Sequence, residues 1–158
     1  MKTASVKEIK DELKEKSSKE LMELCLKLSK FKKDNKELLT YLLFESGNEE
    51  AYREAVKADI DELFGQVNAS ASYYVKKGAQ KILRLVKKQI RYSKNKETEI
   101  ELLIHYCEHL QGYPSAMSRN SVLRNIYSRQ LVVIKKAIGT LHEDLQYDYE
   151  SKLEAIDE

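Results

Sequence analysis

Three times in its first quarter the chain sets a small polar residue three positions ahead of an acidic one: Ser5 before Glu8, Ser17 before Glu20 and Asp34 before Glu37. At a helix start the first side chain accepts from an unpaired backbone N–H, and the glutamate reaches back to the cap residue's own N–H. The spacing predicts helices over 5–15, 18–31 and 35–46. Gly47, Gly65 and Gly112 each follow an apolar-periodic stretch, where a left-handed C-terminal cap favours glycine. Asn48 then caps a helix over 49–64, Asn68 or Ser70 opens one running to 92, and Asn95 caps one over 96–111. Beyond the turn Gly112–Tyr113–Pro114–Ser115, apolar residues recur through Val122, Leu123, Ile126, Val133, Ile134, Ala137, Leu141 and Leu145. That periodicity fits one long helix, or two joined near Gly139.

Nothing competes with helix. One proline and five glycines interrupt 158 residues, and no convincing run alternates apolar with polar as a half-buried strand does. The expectation is an all-α chain of seven or eight helices with short connections. Such links favour antiparallel neighbours, in a helical bundle or a short stack of α–α hairpins. Hairpins over 18–46 and 70–111 look loosely alike without a fixed repeat period. Length fits a single domain, 1–158, with the polar stretch Gln66–Ser72 as its candidate hinge.

The formal net charge is only +2, although 34% of residues are charged. No global electrostatic drive toward nucleic acid or membrane follows. Cys25 and Cys107 are too few for a disulfide framework, and both fall in apolar helical stretches, which predicts two buried thiols in a reducing compartment. The N-terminus alternates charge with single apolar residues and lacks a signal-peptide core. No run approaches the ~18 apolar residues of a membrane span. Both readings point to a cytoplasmic protein.

Charge is unevenly distributed. From Gly65 to Lys96 there is no acidic residue, but nine basic ones: Lys76, Lys77, Lys81, Arg84, Lys87, Lys88, Arg91, Lys94 and Lys96. Lys77, Lys81, Arg84, Lys88 and Arg91 step by four, three, four and three, which holds them in one stripe on a helix. Val75, Ala79, Ile82, Val86 and Ile90 take the opposite face, and Tyr74 and Tyr92 flank the stripe near its ends. Four readings compete. The stripe is solvated or neutralised by the acid-rich segments 45–62 and 141–158; it captures an acidic protein; it contacts phosphates, with tyrosines stacking on bases; or it lies on anionic lipid. The last is disfavoured because the apolar face lacks Trp and Phe and is needed for a core.

His105 and His109 are four apart in His105–Tyr106–Cys107–Glu108–His109, a spacing that lets two imidazoles share a metal, with Glu101 or Glu108 near. The competing reading is a pair of solvated surface histidines. Ile100, Leu103, Ile104, Cys107 and Leu110 form the apolar face, and by helical angle the two histidines point away from it, leaving Cys107 in the core. Tyr106 stands where a zinc protease has glutamate, and neither copy of a di-iron bundle's Glu–His spacing exists. His142 has no nucleophile to pair with, and Ser118, Ser121 and Ser128 have no base. No phosphate loop, dinucleotide fingerprint or nucleophile elbow is present. No enzyme activity and no cofactor are expected. Tyr147 and Tyr149, among Asp144, Asp148 and Glu150, form an acidic end that reads as a charged helix terminus or a docking surface.

Ser17–Ser18–Lys19–Glu20–Leu21, Asp34–Asn35–Lys36–Glu37–Leu38–Leu39 and Tyr41–Leu42–Leu43–Phe44 before Asn48–Glu49–Glu50 resemble a family of uncharacterised all-helical proteins common in Bacteroidetes and related bacteria. The later order is similar: a Lys/Arg-rich helix, then a Glu- and Leu-rich one containing Tyr106. As a pattern the resemblance spans about two thirds of the chain. The family has no known activity, so the resemblance implies a cytosolic helical accessory protein and assigns no site residue. The reading that results is a non-enzymatic helical interaction or scaffold domain that binds an acidic protein partner through Lys77, Lys81, Arg84, Lys88 and Arg91. Nucleic-acid binding through 76–96 is the alternative, and a metal protein using His105 and His109 is the remote one. Oligomeric state stays open.

Overall fold

The computed structural model describes residues 1–157, and all regular structure among them is helical. Nine α-helices follow one another: α1 (Val6–Lys14), α2 (Ser18–Phe31), α3 (Lys33–Thr40), α4 (Glu49–Gly65), α5 (Ser72–Ser93), α6 (Lys96–Gln111), α7 (Pro114–Arg119), α8 (Ser121–Ile138) and α9 (Glu143–Asp157). The count exceeds the expected seven or eight. Pro114, pre-set for a first helical turn, opens the short α7, and a break at 139–142 separates α9 from α8. Two compact units result, 1–44 and 45–158. The connection between α4 and α5, where the candidate hinge lay, falls inside the second unit.

In the first unit the capping boxes at Ser5/Glu8 and Ser17/Glu20 form as the spacing predicts, with both reciprocal hydrogen bonds. The third does not. Lys32 alone joins α2 to α3, so α3 starts at Lys33 and Asp34 lies inside its first turn. The neighbouring Asn35 side chain instead donates to Leu28 O at 2.9 Å. α2 and α3 pack on each other, yet two short helices cannot enclose a core. Leu28 and Phe31 stay largely exposed. Cys25, expected buried, is exposed; it lines an open apolar groove with Leu28, Leu38, Leu39 and Leu42. A π-helical turn, Tyr41–Glu45, follows α3.

The second unit is built around α6, which packs on α4, α5, α8 and α9 and more lightly on α7. It buries Thr98, Ile100, Leu102, Leu103, Ile104, Tyr106, Cys107 and Leu110. That set wraps most of the helix, as a central helix requires. The one-faced reading from sequence missed Leu102 and Tyr106, both fully buried. Around α6 sit Ile60 and Phe64 of α4, Val75, Ala79, Ile82 and Val86 of α5, Leu123 and Ile134 of α8, and Leu153 and Ile156 of α9. Polar clasps fix the packing. Tyr106 donates its hydroxyl to Ala79 O at 2.9 Å. The Glu49 carboxylate accepts from Ser93 and from Thr98, the latter at 2.6 Å, tying the start of α4 to the α5–α6 turn.

Asn48 and Asn95 cap α4 and α6 as read. α5 starts at Ser72 behind Ala71, without a side-chain cap; Asn68 instead accepts from the Ser70 N–H at 2.9 Å in the loop. The glycine caps are corrected too. No glycine takes a positive φ, and the left-handed position belongs to Lys94, φ 55°, whose N–H closes α5 on Ile90 O. Gly112 and Gly139 end their helices in right-handed geometry. No helix among the described residues is long and apolar enough to cross a membrane.

Candidate functional site

α5 presents its charge as its periodicity demands. Val75, Ala79, Ile82 and Val86 anchor one side in the core, and this turns Lys77, Lys81, Arg84 and Arg91 out into solvent. Lys88 is half-buried. From Lys77 to Arg91 the stripe runs about 21 Å. Lys77, Lys81, Arg84 and Arg91 form no ion pair with any carboxylate among the described residues.

Two acids of α4 are engaged away from the stripe. On α4, Glu54 pairs with Lys57, and Asp61 engages the histidines of α6. α9 packs on α8 and α6. Its buried Tyr149 meets Glu97 and Glu101 at 3.1 Å, and its Lys152 lies 3.4 Å from Glu101.

The tyrosines frame only one end of the stripe. Tyr73 and Tyr74 are half exposed and meet edge to face. The ammonium groups of Lys76 and Lys77 sit over the Tyr73 ring at 4.9 and 4.8 Å. Hydrogen bonding to Lys77, helped by its charge, holds the Tyr73 hydroxyl below its usual pKa. Tyr92, at the other end, is half-buried.

A second acid-free stretch escaped the sequence reading, although its signal was present. From His109 to His142 there is no acidic residue, and Arg119, Arg124, Arg129, Lys135 and Lys136 are all exposed. These belong to α7 and α8, both packed on α5. Exposed cations without a nearby acidic residue in sequence are therefore carried by three helices that pack on one another, while α4 packs on α5 and α9 on α8.

The histidines of α6 are not free surface residues. Only about a quarter of each side chain is exposed, and both rings turn toward α4. His105 Nε2 lies 2.5 Å and His109 Nε2 2.6 Å from a single oxygen, Asp61 Oδ1. The hydrogen bond from His109, reinforced by His105, holds the Asp61 carboxyl below its ordinary range. Phe64, one turn beyond Asp61, stacks flat on the His109 ring at 4.6 Å and 4°. His105 Nδ1 lies 3.6 Å from Glu108 Oε2. A shallow depression bordered by His105, Glu108, His109, Gly112 and Tyr113 opens beside the rings.

The pairing of Asp61 with the histidines was not legible from sequence, because α4 and α6 are 44 positions apart at this contact. Cys107 is buried in the core, where burial pushes its thiol up to about 12. His142 is exposed, 3.5 Å from Asp144, and Tyr147 is exposed beside the buried Tyr149.

No family model, curated protein or solved structure matches the chain.

Proposed function

We propose that this chain is a non-enzymatic, cytoplasmic interaction module that captures an acidic protein segment along α5. The observation that carries the proposal is the row Lys77, Lys81, Arg84 and Arg91, exposed and without an acidic partner among the described residues. Unpaired cations at helical spacing offer a partner helix or strand a register of charge, and such complementarity sets orientation and association rate. The acid-rich α4 packs directly on α5, which suits a short acidic segment better than a long polyanion. The cations added by α7 and α8 favour a second reading, single-stranded nucleic acid, with Tyr73 and Tyr74 as the stacking pair.

Fluorescence anisotropy separates the two. A labelled Asp/Glu-rich peptide binds the intact chain at low salt, and Lys81→Glu with Arg84→Glu weakens it by about 10-fold or more. A labelled oligonucleotide binds more weakly than the peptide. Tighter binding of the oligonucleotide transfers the function to nucleic acid, and absence of binding to either probe overturns both readings.

A further inference from the structure

The convergence of two imidazole nitrogens on one carboxylate oxygen has a chemistry of its own. The spacing of four places His105 and His109 on the same face of α6, and α4 delivers Asp61 opposite them. One ligand atom from each of the three residues falls within a 4.8 Å cluster. From these groups we propose that Asp61, His105 and His109 form a binding site for a zinc-class divalent ion, joining α4 to α6.

The donor set suits such an ion. Neutral imidazole and carboxylate are ligands for zinc and its first-row neighbours. Bonds of 2.0–2.1 Å in a tetrahedron set donors about 3.3 Å apart. The two carboxylate–imidazole separations of 2.5 and 2.6 Å open by less than ~1 Å to reach this spacing, and the two imidazole nitrogens, within 4.8 Å of one another, must settle at the same spacing. Asp61 has the freedom to do this, since its side chain is 54% exposed.

The rings, in contrast, are held. Phe64 fixes the plane of His109, and Glu108 stands near Nδ1 of His105. A carboxylate behind a ligating imidazole orients the ring and raises its basicity. Three protein ligands leave a fourth position, and the depression beside the rings gives it access to solvent. Cys107, between the two histidines in sequence, is buried on another side of α6 and contributes nothing. The site uses none of the α5 cations, so it stands or falls independently of partner capture.

The test uses the untagged full chain, with zinc and cobalt(II) alone as probes. Titration is expected to reach one equivalent, and bound cobalt to give the intense visible bands of a four-coordinate ion. On zinc addition to the unaltered chain, the imidazole Nε2 resonances of His105 and His109 shift while those of exposed His142 stay. Asp61→Asn, which keeps the size and a hydrogen-bond acceptor, weakens binding by about 100-fold, and Glu108→Gln by about 10-fold. Failure of the unaltered chain to bind zinc overturns the site. So does zinc bound with the His105 and His109 resonances unmoved.

Discussion

Lys57 Nζ lies 2.6 Å from Glu101 Oε2, so that α4 is joined to the polar edge of α6 by a charge-assisted hydrogen bond between two largely covered side chains. Glu101 also faces Lys152 and Tyr149 of α9. Burial opposes its charge, but the Lys57 hydrogen bond and the charges of Lys57 and Lys152 prevail and hold its pKa at about 2. Burial opposes the Lys57 charge as well, and Glu101 and Glu54 outweigh it, raising the ammonium above its usual 10.5.

The sign of the pH dependence follows. A carboxyl depressed on folding stabilises the fold fully above its unfolded pKa and loses that contribution as pH falls toward the folded value. For Glu101 the window runs from 4.5 down to about 2. The raised Lys57 contributes below 10.5 and loses its share as pH rises beyond. Glu101→Gln is expected to lower stability at neutral pH by about 1.5–3 kcal/mol and to flatten the acid limb of a Tm-against-pH curve. An unchanged acid limb would show that the pair contributes nothing.

The two units should respond differently to the same truncation. Leu102 is fully buried on the central helix, while Leu28 is 60% exposed. Leu102→Ala costs about 2–5 kcal/mol through lost transfer and a cavity. Leu28→Ala changes stability by less than about 0.5 kcal/mol. Urea unfolding of both variants measures the contrast, and equal costs would contradict the burial described.

Gln130 is buried on α8; its amide donates to Ile126 O at 3.1 Å, but its Oε1 has no partner among the described residues. A desolvated acceptor left unmade costs more than the donor's bond returns. Gln130→Met, similar in shape and without the orphan oxygen, is expected to raise stability by about 1 kcal/mol. A loss on chemical denaturation would mean that the oxygen is satisfied.

Lys94 holds the left-handed corner between α5 and α6, a conformation that strains a residue with a Cβ. Lys94→Gly is expected to stabilise by about 0.5–1 kcal/mol, and Lys94→Val to destabilise. Thermal melts that rank them in the opposite order would contradict the strain.

These residues also mark where sequence reasoning succeeds and stops. Ser5, Ser17, Asn48 and Asn95 were legible because a cap acts within three residues. Asp34 misled because a one-residue link forced α3 to begin earlier, a constraint set by the packing of α2 on α3. Lys94 was missed because propensity assigns left-handed corners to glycine. The α5 stripe was legible because its period is local. Asp61 was not, because only the packing of α4 on α6 brings it to His105 and His109.

Partner capture along α5 is tested most directly by a residue-resolved footprint. ¹H–¹⁵N spectra of the full chain, titrated with an Asp/Glu-rich peptide at low salt, are predicted to shift at Lys77, Lys81, Arg84 and Arg91 and to revert as salt rises. Shifts confined to α4 and α9, or none on α5, would contradict the proposed function.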